Sequence, residues 1–407
     1  MGLVVQKFGG SSVADVEKIK NVARKAIREK EQGHEVVVVL SAMGKTTDQL
    51  ISMAHKITLD PSPREMDMLM STGEQVSIAM LAIAIHSMGH KAISFTGPQV
   101  GIITDTAHRK ARIKSINTKK IRKALEDGNI VIVAGFQGTT EENDITTLGR
   151  GGSDLTGVAL AASLKADVCD IYTDVDGVYT ADPRIVPRAR KLEKISYDEM
   201  LELASLGAKV LHSRSVEMGK NYNVVIHVRS SFTDVPGTLV LKEDKSMEDI
   251  VVSGVAYNRN EAKISIVGVP DRPGMAAEVF SRISDAHIVV DMIIQNIGEE
   301  GKNDITFTVS KEDFRQTLQI AKDLCRELGA DEVMSDDKIA KVSVVGVGMK
   351  THCGVAAKMF KALAKNGINI EMISTSEIKI SCVIRESDMD KAVQAIHDEL
   401  KLEANTA

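Results

Sequence analysis

The C-terminal part of the chain contains an internal repeat, and this feature constrains the fold more than any other. Residues 263–269 read KISIVGV and residues 341–347 read KVSVVGV, while GMAAEVF at 274–280 corresponds to GVAAKMF at 354–360. Each copy continues with a strand, a further strand (305–309 and 378–384) and a helix. This βαββαβ order predicts a ferredoxin-like unit. Because two copies are too few for a solenoid, the repeat indicates paired binding modules.

The first 240 residues show a different pattern, in which short apolar runs alternate with segments of helical periodicity. The strand candidates are residues 3–5, 36–40, 130–134, 168–172 and 224–228, and residues 16–32 form a helix that stops at Gly33. Runs that are apolar on both faces and separated by helices predict a mostly parallel sheet covered by helices. Residues 66–88 are apolar around the whole helix and predict a buried helix or helix pair.

Composition excludes several classes of protein. With 407 residues and 43% hydrophobic composition the chain can bury more than one core, and a net charge of −5 argues against a nucleic-acid binder. The basic run at 108–123 has helical spacing and predicts a solvated helix face. The four cysteines are far apart and indicate neither disulfides nor a zinc site. We expect no metal-ligand cluster, no membrane span of about 18 residues and a cytoplasmic protein.

Two loops follow predicted strands where an open α/β sheet places its ligands. In Lys7-Phe8-Gly9-Gly10-Ser11 the glycines let backbone N–H groups approach an anion, and Lys7 adds a full positive charge. An ordinary strand-to-helix turn is the alternative. The second loop, SAMG at 41–44, offers Ser41, for which a helix cap is the favoured interpretation when the loop is taken alone.

The stretch LGRGGSD at 148–154 places three glycines around Arg150. Ser153 as a helix cap and Asp154 near the helix dipole would need no ligand. Neither role accounts for Arg150, whose guanidinium suits bidentate capture of a carboxylate or phosphate. Glu74 lies in the apolar run 66–88, where an unpaired charge is costly, so we expect a partner or a cationic ligand beside it.

The acidic loop after the fourth predicted strand reads DIYTDVDGVYTADPR at 170–184. Its D-x-D-G lacks the other ligands of an EF-hand, which excludes that calcium site. The remaining alternatives are a nucleotide-holding loop and a plain surface loop.

Taken together, six motifs resemble the aspartate kinase family, whose catalytic fold is an open α/β sheet and whose C-terminal modules are paired ACT domains. They are KFGGSS at 7–12, VVLSAMG at 38–44, STGE at 71–74, GRGGSD at 149–154, YTDVDGVYTADPR at 172–184 and GAKVLH at 207–212. In the repeat, QN at 295–296 and NIEMISTSE at 369–377 match the ACT modules. The resemblance implies a catalytic domain at 1–245, a linker at 246–262 that includes a strand of the second ACT unit, and ACT domains at 263–335 and 336–407.

The resemblance also implies roles for individual residues. Lys7 and Asp154 are the catalytic pair in this interpretation. The ATP site takes Lys7, Phe8, Gly9, Gly10, Ser41, Thr173, Asp174, Tyr179, Thr180, Ala181, Asp182, Pro183, Arg184 and Lys209. The aspartate site takes Ser41, Thr47, Glu74, Arg150, Gly151, Gly152, Ser153 and Asp154. ATP would bring Mg²⁺ with it.

For feedback control the resemblance implies lysine or threonine as effector. The effector residues would be Asp271, Gly274, Val289, Val290, Asp291, Gln295, Val355, Ala356, Asn369, Ile370, Ser376 and Glu377. A homodimer or higher oligomer through the ACT domains is implied, and Met247 could start a shorter regulatory subunit, as in some relatives. The chain departs from the family pattern at Leu155-Thr156-Gly157, Val289 and Cys353; we expect the first departure to alter packing more than chemistry.

The carboxylate of aspartate is ionised at pH 7 and needs no general base to attack the γ-phosphorus, so repulsion between anions is the obstacle. Catalysis would then consist of positioning and positive charge. Two alternatives stay open: another amino-acid or carbamate kinase of the same architecture, and a non-catalytic amino-acid sensor.

Overall fold

The computed structural model describes residues 2–206, 210–243, 251–297 and 301–403. The chain divides into two compact units. The first comprises residues 1–179 and 191–247, and the second comprises residues 180–190 and 248–407. A short segment in the middle of the chain therefore belongs to the C-terminal unit.

The first unit is built on an eight-stranded sheet in which β11, β9, β1, β2, β6 and β3 run parallel. From one edge to the other the strands are β10 (Lys194–Ser196), β12 (Thr238–Leu241), β11 (Ile226–Ser230), β9 (Val168–Thr173), β1 (Leu3–Phe8), β2 (Glu35–Leu40), β6 (Ile130–Ala134) and β3 (Ala92–Phe95). The central strands β1, β2 and β6 are buried along almost their whole length. The predicted parallel sheet is confirmed.

Helices cover both faces of this sheet. The helices of the first unit are α1 (Val16–Glu31), α2 (Thr46–Ile57), α3 (Pro63–Met70), α4 (Thr72–Ser87), α5 (Lys119–Glu126), α6 (Gly152–Leu164), α7 (Tyr197–Ser205) and α8 (Ser213–Tyr222). Asp15 caps α1 by accepting the N–H of Lys18 at 2.9 Å, and the helix ends just before Gly33, which has φ +89°. Helices α1 and α4 share one apolar core with β2 and β6, and α6 packs on the opposite face.

A second, four-stranded sheet was not predicted. It consists of β5 (Ile113–Ile116), β4 (Ile102–Thr104), β7 (Gln137–Thr139) and β8 (Ile145–Thr147). The interpretation of residues 108–123 as one helix face was wrong, because β5 occupies their middle and only α5 is helical. The lysines and arginines of this run are spaced as in a helix, but pairing with β4 decides the local conformation.

The predicted helix pair is present as α3 and α4, which meet at Ser71. By length and composition the segment Pro63–Ser87 would be able to cross a membrane, contrary to the expectation that no segment reaches that length. Half of its most apolar stretch is buried inside the protein, and it carries the buried Glu74. Core helices of a globular protein can match membrane spans in length and apolar composition.

The second unit contains one six-stranded antiparallel sheet instead of two separate four-stranded ones. The order is β14 (Val290–Ile297), β15 (Lys302–Val309), β13 (Gly254–Pro270), β16 (Glu332–Val345), β18 (Lys379–Arg385) and β17 (Met372–Thr375). The helices are α9 (Met275–Asp285), α10 (Phe314–Leu328), α11 (Val355–Lys365) and α12 (Met389–Glu399). Strands β13 and β16 each serve both repeats, since residues 254–258 pair with 341–345 and residues 263–267 pair with 332–336.

Ion pairs join the two repeats reciprocally. Lys341 of the second repeat is buried and lies 3.0 Å from the buried carboxylate of Glu261, and it also pairs with Asp291 of the first repeat. Lys263, the counterpart of Lys341, pairs with Glu371 of the second repeat. Buried charges of opposite sign favour one register, because any shift would leave them uncompensated.

The segment 180–190 packs into the core of the second repeat. Ala181 and Val186 are buried in the same cluster as Met359 and Val393. The hydroxyl of Thr180 donates to Leu402 O at 3.1 Å and lies 3.0 Å from the buried His397 Nε2. Part of the predicted nucleotide loop thus belongs to the second unit.

Candidate active site and effector site

The predicted phosphate and amino-acid loops of the first unit meet at one edge of its sheet. In the parallel register Phe8 lies opposite both Leu40 and Tyr172, and Leu40 lies opposite Ala134. The residues that follow these paired positions therefore lie side by side. They are Gly9, Ser41, Gly135 and Thr173. This is the edge at which open α/β sheets bind ligands.

The Gly9-Gly10 turn is packed tightly against the neighbouring loop. The N–H of Gly9 donates to Tyr172 O at 3.3 Å, and the N–H of Gly44 donates to Gly10 O at 3.0 Å. A Cβ on Gly10 would lie 2.9 Å from Ala42 O, so only glycine permits this approach. The requirement for glycine comes from backbone packing, and the N–H of Gly9 is already used in its hydrogen bond to Tyr172.

Lys7 lies on β1 and is buried, which corrects its placement in the loop that follows the first strand. Its Nζ is 2.6 Å from Asp154 Oδ1, and both side chains are at least 85% buried. The contact is an ion pair and not a hydrogen bond, since Asp154 Oδ1 has no hydrogen-bond partner among the described residues. The predicted catalytic pair is thus assembled in the structure.

The departure at Gly157 touches this pair directly. A Cβ on Gly157 would lie 3.2 Å from Cβ of Lys7, which is tighter than ordinary contact. Leu155 is buried with Leu148 and Ala111, and Thr156 Oγ1 accepts the N–H of Phe136 at 3.1 Å. The departure from the family pattern therefore affects packing, and one of its contacts is with the stem of Lys7.

Glu74 lies in the first turn of α4, with only 2% of its surface exposed. Its Oε1 accepts the N–H of Ala42 at 3.1 Å, and its Oε2 is buried with no hydrogen-bond partner in the described part of the chain. Burial raises the pKa of Glu74 to about 8, and backbone N–H groups, that of Ala42 among them, oppose the shift. Among the described residues no cation pairs with Glu74, so the expected cationic ligand stays a prediction.

The GRGGSD loop turns into α6 through glycines in the left-handed conformation, Gly149 at φ +77° and Gly151 at φ +72°. Gly151 is the N-cap residue, so the interpretation of Ser153 as a side-chain cap was wrong. Ser153 lies buried inside the first turn of α6. Arg150 is exposed between the two glycines, and its guanidinium makes no ion pair within the described ranges.

Two residues that sequence reasoning missed hold this loop. Asp67 of α3 is completely buried and binds His108 Nδ1 at 2.8 Å, the N–H of Arg109 at 3.0 Å and the hydroxyl of Thr147 at 2.5 Å. The guanidinium of Arg214 donates to Leu148 O at 2.5 Å and to Ala111 O at 3.0 Å. An acid inside an apolar helix was the available signal for Asp67, as it was for Glu74.

His212 closes the same loop from the side of α8. A Cβ on Gly151 would come within 2.5 Å of the His212 ring, so the imidazole lies directly against the glycine. Burial lowers the pKa of His212, and the charge of Asp154 opposes that shift. The ring is therefore a neutral wall of the candidate aspartate site at pH 7.

Part of the predicted ATP loop belongs to the first unit. Thr173 ends β9, and its hydroxyl donates to Asp174 at 2.9 Å. The Tyr179 hydroxyl donates to Asp176 at 2.8 Å, and burial with this hydrogen bond raises the pKa of Tyr179 to about 12. Tyr179 is thus already engaged within its own loop.

Residues 180–184 of this loop belong to the second unit. The backbone N–H, Nε and Nη2 of Arg184 all donate to the Asp182 carboxylate, and the Tyr257 hydroxyl also donates to it at 3.0 Å. The Arg184 guanidinium lowers the pKa of Asp182. Ala181 is buried in the core, so its side chain supports the segment. Lys209 lies outside the described residues.

Three predicted effector residues line one cavity of about 350 Å³ in the first repeat. Its lining includes Asp271, Gly274 and Gln295, with Asn303 at the back. Asn303 is buried, donates to Asp271 Oδ1 at 2.8 Å and leaves its own Oδ1 without a hydrogen-bond partner among the described residues. The volume suits a small amino acid.

The other predicted effector residues do not line this cavity. Val289 is 78% exposed, and Asp291 is paired with Lys341. Val355 is buried at the start of α11, Ala356 and Ile370 pack on the core of the second repeat, and Asn369 is exposed. Ser376 N donates to Lys379 O, and Glu377 lies 3.8 Å from Lys350.

Comparison with known families matches three parts of the chain. Residues 2–230 match the amino acid kinase family, and residues 264–329 and 342–400 each match the ACT domain. These ranges coincide with the α/β unit and with the two repeats.

Individual relatives give the same result. The aspartate kinase of Pseudomonas putida is 55% identical over 405 residues, which cover 99% of this chain and 98% of the relative. Escherichia coli aspartokinase III in complex with aspartate and ADP superposes with a TM-score of 0.82 at 26% identity, covering 98% of this chain and 100% of the other. Its complex with lysine and aspartate gives 0.78 at 26% identity, with 98% and 99% covered. The chain therefore belongs to the aspartate kinase family, with an amino acid kinase domain and two ACT domains.

Proposed function

We propose that this chain phosphorylates the side-chain carboxylate of L-aspartate with ATP, using Lys7, Glu74, Arg150 and Asp154 as its main polar groups. The product is 4-phospho-L-aspartate, the first intermediate of the pathway to lysine, threonine and methionine. The observation that carries the assignment is the Lys7–Asp154 pair at the sheet edge shared with the Gly9-Gly10 turn. Relatives of nearly the same length are named aspartate kinase or aspartokinase.

The roles follow from charge. Aspartate offers an ammonium group and two carboxylates. Arg150, exposed between two glycines, suits the α-carboxylate, and Glu74 Oε2, which has no hydrogen-bond partner among the described residues, suits the ammonium. Ser41, Thr47, Gly151, Gly152 and Ser153 complete the proposed aspartate site.

The transfer itself requires no general base. The attacking carboxylate is ionised, so the chain must bring two anions together and stabilise the charge of the transferred phosphoryl group. Lys7 supplies a full charge, and the backbone N–H of Gly10 would supply a partial one. Asp154 holds Lys7 in place. We do not assign Asp154 as a base, because its carboxylate is paired with the ammonium group of Lys7.

The nucleotide would be held by the loop that follows β9. The structure of a relative with ADP supports the use of ATP. We assign Thr173, Asp174 and Tyr179, together with Thr180, Ala181, Asp182, Pro183, Arg184 and Lys209, to this role. Mg²⁺ enters the proposal as the ion that ATP carries.

Feedback control is assigned to the ACT domains. The cavity beside Asp271 and Gly274 can offer a carboxylate and a helix N-terminus to an amino acid, and a relative is known in complex with lysine. We propose lysine or threonine as the effector, a homodimer or higher oligomer formed through the ACT domains, and a cytoplasmic location. Met247, as a start of a shorter regulatory subunit, lies outside the described residues.

The decisive experiment measures ADP release by the full-length chain with aspartate, with glutamate and with no amino acid. Turnover with aspartate alone is the expected result. Comparable turnover with glutamate would favour another amino-acid kinase of this fold, and no release with any substrate would favour a non-catalytic sensor.

A further inference from the structure

Two aromatic side chains stack between the loops of the candidate active site. Phe8 and Tyr172 are directly opposite each other on the parallel strands β1 and β9. Their ring centroids are 4.4 Å apart and their planes are inclined by 6°. Both side chains are buried, at 0% and 3% exposure.

Two cations also lie close to the Tyr172 ring. A tyrosine that only fills the core would not require them. The guanidinium of Arg229 lies 5.4 Å from the ring centroid, and Lys25 Nζ lies 5.5 Å from it. Cations at this distance are attracted by an aromatic ring and restrict its movement.

These cations are themselves held by acids. Arg229 lies 3.7 Å from the buried Asp170, which also lies 3.1 Å from His227 Nδ1. Lys25 donates to Asp234 at 2.7 Å. The Tyr172 ring therefore lies at the centre of a network of cation–ring contacts and ion pairs that extends from α1 to β11.

We propose that Tyr172 is a positioning residue, which sets the Lys7-Phe8-Gly9-Gly10 segment relative to Thr173 and Asp174. Phe8 stands between Lys7 and the glycine turn, and Tyr172 immediately precedes Thr173. A displacement of either ring would move the backbone on both sides of it, since Gly9 N also donates to Tyr172 O. This inference rests on the proposed roles of Lys7 and the glycine turn.

The expected effect is on turnover more than on aspartate binding. Misplacement of reacting groups by about 1 Å can reduce turnover about 100-fold. Glu74 and Arg150, which are assigned to aspartate, belong to α4 and to the loop before α6 and do not contact the stacked pair. Tyr172→Leu should therefore lower kcat about 10- to 100-fold with the KM for aspartate changed less than about twofold.

The test compares Tyr172→Leu with Tyr172→Phe, which keeps the stack, and with Ile85→Ala, a control in the same apolar core. kcat, both KM values and the thermal unfolding midpoint are measured for each variant. The inference holds if Tyr172→Phe retains wild-type kcat and Ile85→Ala loses stability without losing kcat. It is overturned if Tyr172→Leu keeps wild-type kcat, or if Ile85→Ala loses kcat to the same extent.

If Tyr172→Leu does not fold, the inference is tested with Arg229→Met and Arg229→Lys instead. A lower kcat in Arg229→Met that Arg229→Lys restores supports the bracing of Tyr172, and wild-type kcat in both overturns it. Lys7→Met is assayed in parallel to separate the two levels of the proposal. An active Lys7→Met enzyme would refute the proposed site and this inference together, whereas an inactive one beside a fully active Tyr172→Leu would refute only the positioning role.

Discussion

The carboxyl group of Glu74 accepts a hydrogen bond from the backbone of Ala42 at one oxygen and has no partner at the other among the residues that the structure describes. The hydrogen bond from Ala42 N to Oε1 is 3.1 Å long, and a Cβ on Gly73 would lie 2.8 Å from Cβ of Ala42, so the start of α4 is pressed against the Ser41 loop. Burial of this kind disfavours the ionised form and raises the pKa of Glu74 to about 8.

The first prediction concerns aspartate binding. At pH 7 only about a tenth of Glu74 is ionised, and the substrate ammonium should bind the ionised form. The KM for aspartate should fall as the pH rises from about 6.5 to 8.5, while the KM for ATP stays constant. Calorimetry in two buffers of different ionisation enthalpy should detect proton release on aspartate binding. The Glu74→Gln enzyme should show neither effect, and an equal pH dependence in that variant would contradict the assignment.

The second prediction concerns stability. The folded protein holds a proton on Glu74 up to a pH of about 8, whereas the unfolded chain loses it near pH 4.5. The folded state binds more protons in this window, so the unfolding free energy should fall as pH rises through it, by at most about 1.4 kcal/mol per pH unit. Denaturant titrations at pH 5, 7 and 9 should show this fall in the wild type relative to Glu74→Gln. Parallel curves for the two proteins would contradict it.

The third prediction concerns Lys7. Lys7→Met should reduce kcat by about 100-fold or more, because it removes the full charge next to the transferred phosphoryl group. Since Asp154 then loses its cation in a buried site, the unfolding free energy should also fall by about 1–3 kcal/mol. Adding Asp154→Asn should recover part of the stability and none of the activity. Full recovery of turnover in the double variant would exclude Lys7 from the mechanism.

The fourth prediction concerns Arg150. Arg150→Ala should raise the KM for aspartate about 10-fold or more, since a charge-assisted hydrogen bond contributes about 1.5–3 kcal/mol. The KM for ATP and the thermal stability should be unchanged, because the guanidinium makes no ion pair within the described ranges. Arg112→Ala, which removes another exposed arginine, is the matched control. A loss of ATP binding with intact aspartate binding would show that the GRGGSD loop at 149–154 binds phosphate and not the amino acid.

The fifth prediction concerns the effector cavity. Gln295→Ala should raise the lysine or threonine concentration needed for half-inhibition about 10-fold, with kcat unchanged without effector. Thr375, which occupies the corresponding register position in the second repeat, provides the control Thr375→Ala. Inhibition is titrated with lysine, with threonine and with both. Equal effects of the two variants would argue against a site restricted to the first repeat.

Point variants are a better test of regulation than removal of the C-terminal unit. A chain ending near residue 245 would lack the core around Ala181 and Val186. Its inactivity would then reflect a disturbed nucleotide loop as much as lost control.

The parallel strands could be predicted from the sequence alone, because apolar runs such as Val36–Leu40 of β2 are buried on both faces and need no distant partner to be recognised. The two ACT repeats could be predicted in the same way. The three-dimensional fold was needed to show that Lys7 is buried against Asp154, that Glu74 has no counter-charge among the described residues, and that residues 180–190 belong to the second unit. Local patterns report which face of an element is buried, but the partner of a charge depends on segments distant in the chain: 147 residues separate Lys7 from Asp154. The same reason explains the short strands β4, β5, β7 and β8, whose conformation comes from pairing across the sheet and not from their own periodicity.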